Sequence, residues 1–128
     1  ASLVSADINF ANVVNDDVTV NQGDSVTLQF RLHESNLGDL TDIVFGLPVT
    51  MTSGSHSFNS SSTITNVITE LGQNETSVLM SLTFNVPLTQ NVGTYTGELT
   101  VDGNYSENST SETLPISIVV EESVEDWV

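Results

Sequence analysis

Five stretches of the chain place an apolar residue or glycine at every second position. They are Val26/Leu28/Phe30/Leu32, Ile43/Phe45/Leu47, Val78/Met80/Leu82/Phe84/Val86, Tyr95/Gly97/Leu99/Val101 and Leu114/Ile116/Ile118/Val120. A period of two sends alternate side chains to opposite faces of a strand, so each stretch reads as a strand with one dry face and one wet face. Strands of this kind bury their dry faces by pairing into sheets packed face to face, which predicts an all-β antiparallel sandwich. The residues left on the wet faces, among them Thr27, Gln29, Thr83, Thr94, Thr96, Glu98, Thr100, Thr113 and Ser117, are mostly uncharged hydroxyls and amides. They make a surface and offer little chemistry.

The 128 residues are the size of one domain, and a chain this long buries roughly two thirds of its unfolded surface. A single domain over residues 1–128 is therefore expected, with residues 1–12 as a candidate exchanged strand and residues 121–128 as an acidic tail. Charged residues make up only 14% of the chain, yet 17 are acidic against a single Lys or Arg, for a formal net charge of −16. Lysine is absent and Arg31 is the one permanent cation. Nucleic acid is excluded as a partner, because phosphate binding needs clustered Lys and Arg, and anionic membranes are excluded for the same reason. Such a charge repels copies of the chain from one another unless salt, divalent cations or low pH weaken it.

There is no cysteine, so no disulfide staples the fold. No apolar run reaches transmembrane length, and the sequence reads as a mature chain without a leader. Val4-Ser5-Ala6 has the small-residue spacing of a signal-peptidase site, but no hydrophobic stretch precedes it.

Ala6, Ile8 and Phe10 alternate with polar residues and predict a short first strand, followed by a turn at Asp16-Asp17 and a second short strand, Val18 to Val20. Pro48 ends or bends the strand from Ile43, and the serine-rich stretch from Ser53 to Ser62 predicts an exposed loop. Ile64, Val67, Ile68 and Leu71 suggest a bulged strand. Asp102-Gly103 is a turn signal, expected to open a long polar excursion from Asn104 to Ser111. The whole predicts about seven to nine strands and little helix.

Three pieces resemble the immunoglobulin-like repeat domains of archaeal and bacterial cell-surface proteins, including S-layer proteins. They are Gln22-Gly23-Asp24-Ser25-Val26-Thr27-Leu28, Leu40-Thr41-Asp42-Ile43-Val44-Phe45 and Val92-Gly93-Thr94-Tyr95-Thr96-Gly97-Glu98-Leu99-Thr100-Val101. The resemblance covers residues 24–120 and implies an immunoglobulin-like β-sandwich on the outside of a cell. It says little about activity, since such sandwiches host many roles. The Cys pair and core Trp of antibody-type domains are missing.

Four sequons, at Asn59, Asn74, Asn104 and Asn108, are candidate glycosylation sites, each expected in a loop. Carboxylates at Asp16/Asp17, Asp39/Asp42 and Glu121/Glu122/Glu125/Asp126 are of the type that ligates calcium, although no EF-hand pattern is present and solvated acids are the simpler reading. No resident cofactor is expected. His33 and His56 have no spaced partner for zinc, and Ser55-His56-Ser57 lacks a nucleophile elbow and an orienting acid. The chain does not read as an enzyme.

Two functions fit. One is a structural subunit of an extracellular filament or surface assembly whose partners are copies of itself, held by strand addition through Ala6, Ile8 and Phe10, with Trp127 docking on a neighbour. The equally weighted alternative for that segment is an ordinary first strand. The other function is a binding or spacer module of a larger S-layer or adhesin protein, its loops carrying recognition.

Overall fold

The computed structural model describes residues 8–35, 38–105 and 108–123. They form nine strands: β1 (Ile8–Val14), β2 (Asp17–Asn21), β3 (Ser25–Glu34), β4 (Leu40–Phe45), β5 (Thr50–Ser53), β6 (His56–Asn59), β7 (Met80–Asn85), β8 (Gly93–Tyr105) and β9 (Asn108–Glu121). One sheet has the order β1-β3-β7 and is antiparallel throughout. The other runs β2-β9-β8-β5-β6, with β4 also paired to β8. Between the two sheets lies one apolar core, in which Leu28, Phe30 and Leu32 of β3, Leu82 and Phe84 of β7, Tyr95 and Leu99 of β8 and Ile118 of β9 are fully buried.

The period-two reading of β3 holds over its whole length, and the inward parity extends past Leu32 to a fully buried Glu34. The carboxylate was not expected there, although it shares the parity of Val26 through Leu32.

The architecture is an immunoglobulin-like sandwich. Its first, third and seventh strands form one sheet and face the sheet in which β9, β8, β4 and β5 adjoin. The corner leading into β8 carries the hydrogen bond typical of that fold, with the Tyr95 hydroxyl donating to the Asn91 carbonyl at 2.7 Å. β2 lies parallel to β9, pairing from Asp17↔Ser117 to Asn21↔Glu121. The chain changes sheets between β1 and β2 at Asn15, which has a left-handed backbone (φ 71) and donates its side-chain amide to the Thr27 carbonyl. Asparagine tolerates that conformation better than most residues. The next carbonyl, of Asp16, then accepts from Ser117 of the opposite sheet.

Several expectations are corrected. Asp102-Gly103 does not turn: β8 runs on to Tyr105 and pairs with β9 through Tyr105↔Asn108. Gly103 faces inward instead, where an added Cβ would come within 3.0 Å of Leu40 Cδ1. The glycine serves the close approach of β4, and the described part of the expected polar excursion is the end of β8, Asn104 and Tyr105, and the start of β9 from Asn108. The serine-rich stretch is not all loop: it holds the turn and second strand of the β5–β6 hairpin, in which Met51 of β5 and Phe58 of β6 pair and are buried. Val78 is 57% exposed, and Ser77 takes the inward position before β7 begins at Met80. Residues 64–71 form no strand. They cross from the free side of β7, where Thr65 bridges Ser81, to the free side of β4, where Leu71 bridges Leu40, burying Ile64 and Leu71 on the way.

Candidate functional site

A two-sheet sandwich can leave backbone N–H and C=O groups unpaired along its sheet edges, so those edges are the first chemistry to account for. The crossing segment covers two edges. Thr65 N donates to Ser81 O on β7, and Ile43 N of β4 donates to Thr69 O. β9 is longer than its partner β2, and among the described residues nothing forms a ladder on the outer side of its first half. There Thr113 N is taken by the Glu112 carboxylate at 3.0 Å, and Pro115 has no N–H to offer. Both devices disfavour an added strand.

β1 is the edge of the three-stranded sheet and carries the sequence-predicted interface residues. Ile8 is opposite Glu34 and 2% exposed, while Phe10 is opposite Leu32, half-buried, and stacks edge-on against Phe30 with ring centroids 5.6 Å apart. Within this single chain both pack on β3 from the chain's own β1. A register shift between Ala11 and Val14, with Asn12 at φ 52, interrupts the strand and leaves a short regular edge from Ile8 to Ala11. Ala6 and Trp127 lie outside the described residues.

The sequons are not all in loops. Asn59 is on β6 and accepts from the Thr50 hydroxyl, while Asn104 is on β8 and donates to Asp42 Oδ2 at 3.0 Å. Asn108 opens β9. Asn74 alone sits in a turn, exposed and with a left-handed backbone (φ 50). Asn74, Asn104 and Asn108 all lie toward the end of the sandwich that holds the β8–β9 tip.

Among the described residues no group of three or more His, Asp or Glu side chains is placed to hold a metal ion. Asp16 and Asp17 border an open groove of about 560 Å³ on the outer face of the larger sheet, beside Glu98 and Ser117. Asp39 borders a second, with Glu70 and Glu75, and Glu75 Oε1 there accepts from Gly72 N. Asp42 is engaged by Asn104, and Glu121 and Glu122 are exposed at the far end of β9. His33 points outward from β3, its Nδ1 2.8 Å from the Thr76 hydroxyl, and His56 is exposed on β6. No helix among the described residues is long and apolar enough to cross a membrane.

The distribution of charge is the feature that sequence reasoning missed. β1, β3 and β7 carry one carboxylate between them, the buried Glu34. The outer face of their sheet, including Asn9, Thr27, Gln29, Arg31, His33, Ser81 and Thr83, is free of acids. The strands of the larger sheet carry Asp17, Asp42, Glu98, Asp102, Glu112 and Glu121. The signal was present in the strand composition but emerges only once strands are assigned to sheets.

No protein-family model and no curated protein matches the sequence. Solved structures match the fold. A family 123 glycoside hydrolase from Clostridium perfringens is similar with a TM-score of 0.67 at 10% identity over 96% of this chain, which spans 28% of the hydrolase chain. The CooA pilin subunit from enterotoxigenic Escherichia coli is similar with a TM-score of 0.55 at 12% identity, covering 94% of this chain and 100% of the pilin. AggA, the major subunit of aggregative adherence fimbriae type I from Escherichia coli, gives 0.53 at 16% identity, covering 91% and 95%. At these identities the likeness is one of fold, and it places the chain among β-rich sandwiches that include pilin and fimbrial subunits.

Proposed function

We propose that the chain is a structural subunit of an extracellular surface filament or similar assembly built from its own copies, and not an enzyme. The observation that carries this reading is the end-to-end likeness to a pilin subunit and a fimbrial subunit, each matched over nearly its whole length, whereas the hydrolase is matched over a minor part. Strand polarity supports it. Ile8 lies beside Glu34 at one end of the sandwich, and Glu121 lies beside Asn21 at the other, so the described chain enters and leaves at opposite ends. Copies arranged head to tail form an open polymer rather than a closed ring whenever the rotation between them does not close.

Strand addition is the finer part of the proposal. β1 docks on β3 through Ile8 and Phe10, and a β1 donated by a neighbour would make the same contacts in trans. Negative-stain microscopy of the purified chain at raised salt tests the assembly, with filaments expected and monomers at every salt concentration overturning it. Deleting residues 1–12 tests the exchange: the truncated chain is expected to lose both assembly and stability, and a peptide of residues 1–14 to restore stability alone. Normal assembly of the truncated chain would leave the filament reading standing and remove the exchange.

A spacer module of a larger surface protein is the second reading, favoured by the same opposed entry and exit points. A native parent chain much larger than the 128 residues, detected by mass spectrometry, would select it.

A further inference from the structure

A body with a net charge of −16 meets a difficulty in self-assembly, because almost any contact between two copies brings carboxylates together. The three-stranded sheet avoids it. Its outer face presents no acid on β1, β3 or β7, and carries Arg31 and His33 on β3. The Arg31 Nη1 donates to the Ser77 carbonyl at 2.9 Å, which fixes the side chain over the β3–β7 side of the face while a guanidinium has further donors to offer. Val14, opposite Gln29 on the same face, is 48% exposed. The opposite face of the sandwich has the complementary character: Glu98 and Asp102 are exposed on the outer side of β8, flanked by Thr94, Thr96 and Thr100.

We infer that the outer face of the β1-β3-β7 sheet is the docking surface for a second copy of this chain, which presents the outer face of its larger sheet with Glu98 and Asp102 toward Arg31. The inference rests on the self-assembly reading but not on the exchange of β1. The occupant is a second copy because charge complementarity selects it: this is the one sheet face onto which an acidic copy can be laid without opposing carboxylates. The two surfaces differ, so the contact is heterologous and repeats from copy to copy, giving an open array when the rotation between copies does not close. The three strands, of seven, ten and six residues, at about 3.3 Å per residue and about 4.8 Å between strands give roughly 350 Å² per copy. That is the size of a weak contact, formed readily only when many copies are linked.

The test is a charge swap in the full-length chain, read by sedimentation velocity and electron microscopy under conditions where the wild type assembles. Arg31→Glu and Glu98→Arg are each expected to raise the critical concentration for assembly about tenfold or more, and the double variant R31E/E98R is expected to restore it. Circular dichroism of each variant shows whether it is folded, and Arg31→Gln, which keeps a donor for the Ser77 carbonyl, serves as the milder variant. Wild-type assembly with undiminished assembly of R31E and R31Q overturns this surface while leaving the filament reading intact. Loss on R31E without rescue by E98R overturns the pairing of faces. A wild type that stays monomeric at every salt concentration overturns the proposal together with the filament reading.

Discussion

The Tyr95 hydroxyl stands between two partners, donating to the Asn91 carbonyl at 2.7 Å and accepting from Gln90 Nε2 at 2.9 Å. Gln90 also reaches the Ser57 carbonyl, and its own carbonyl accepts from Gln22 Nε2. One fully buried phenol thus pins the corner before β8, and through Gln90 the end of β2 and strand β6. Tyr95→Phe is expected to cost about 1 kcal/mol, because the ring still fits while the Asn91 carbonyl and the buried Gln90 amide each lose a partner. Urea denaturation measures it, and a midpoint equal to wild type would show that the corner is held by packing alone.

Gly97 controls how closely β5 lies on β8. An added Cβ would come within 2.7 Å of the Thr50 carbonyl oxygen and of Met51 Sδ, and the backbone oxygen cannot move without its strand. Gly97→Ala is expected to destabilise the chain by about 1–3 kcal/mol through overpacking. Gly54, in a left-handed turn with open space around it, should lose only about 1 kcal/mol on the same substitution. Equal losses at both positions, measured by thermal unfolding, would reject the close-approach explanation.

Salt should stabilise the folded chain. With 17 acids against one Arg, self-repulsion is strongest at low ionic strength, and raising salt from about 0.01 M to 1 M shortens the screening length from about 30 Å to 3 Å. The melting temperature is expected to rise across that range, most steeply at the low end. A flat or falling curve in scanning calorimetry would show that repulsion is not what limits stability.

Among the sequons, Asn74 is expected to carry a glycan in any host that modifies the chain. It is exposed in a turn, whereas the Asn104 amide is committed to Asp42 and Asn59 lies along β6. Glycopeptide mapping reads the outcome, and a modified Asn104 beside an unmodified Asn74 would contradict it.

The parts of the fold legible in the sequence are those where a single periodicity decides the face. β3 shows this most clearly, because ten residues alternate without interruption and one face is wholly dry. Legibility fails where tertiary contact overrides a local signal. Asp102-Gly103 has the composition of a hairpin turn, yet Leu40 and Thr41 lie against Gly103 and β9 continues the ladder beside it. Ser77 replaces Val78 in the interior because its hydroxyl accepts from Leu32 N, a partner 45 residues away that no local pattern announces. The candidate surface was half visible. The alternation at Ala6, Ile8 and Phe10 marks a strand, but which sheet edge that strand fills is decided by long-range pairing that the alternation does not carry. The acid-free face could not be seen until three separated strands were placed side by side.

The parallel pairing of β2 with β9 has a consequence under tension. The described chain enters the sandwich at the end where Ile8 and Glu34 meet and leaves at the end where Asn21 and Glu121 meet. Pulling these two points apart draws β2 and β9 in opposite directions along their common axis. The rungs from Asp17↔Ser117 to Asn21↔Glu121 are then loaded in shear and share the force, where a hairpin pulled from its open end would surrender one rung at a time. A chain with neither a cysteine nor a lysine for covalent cross-linking resists stretching here through the geometry of its first and last strands.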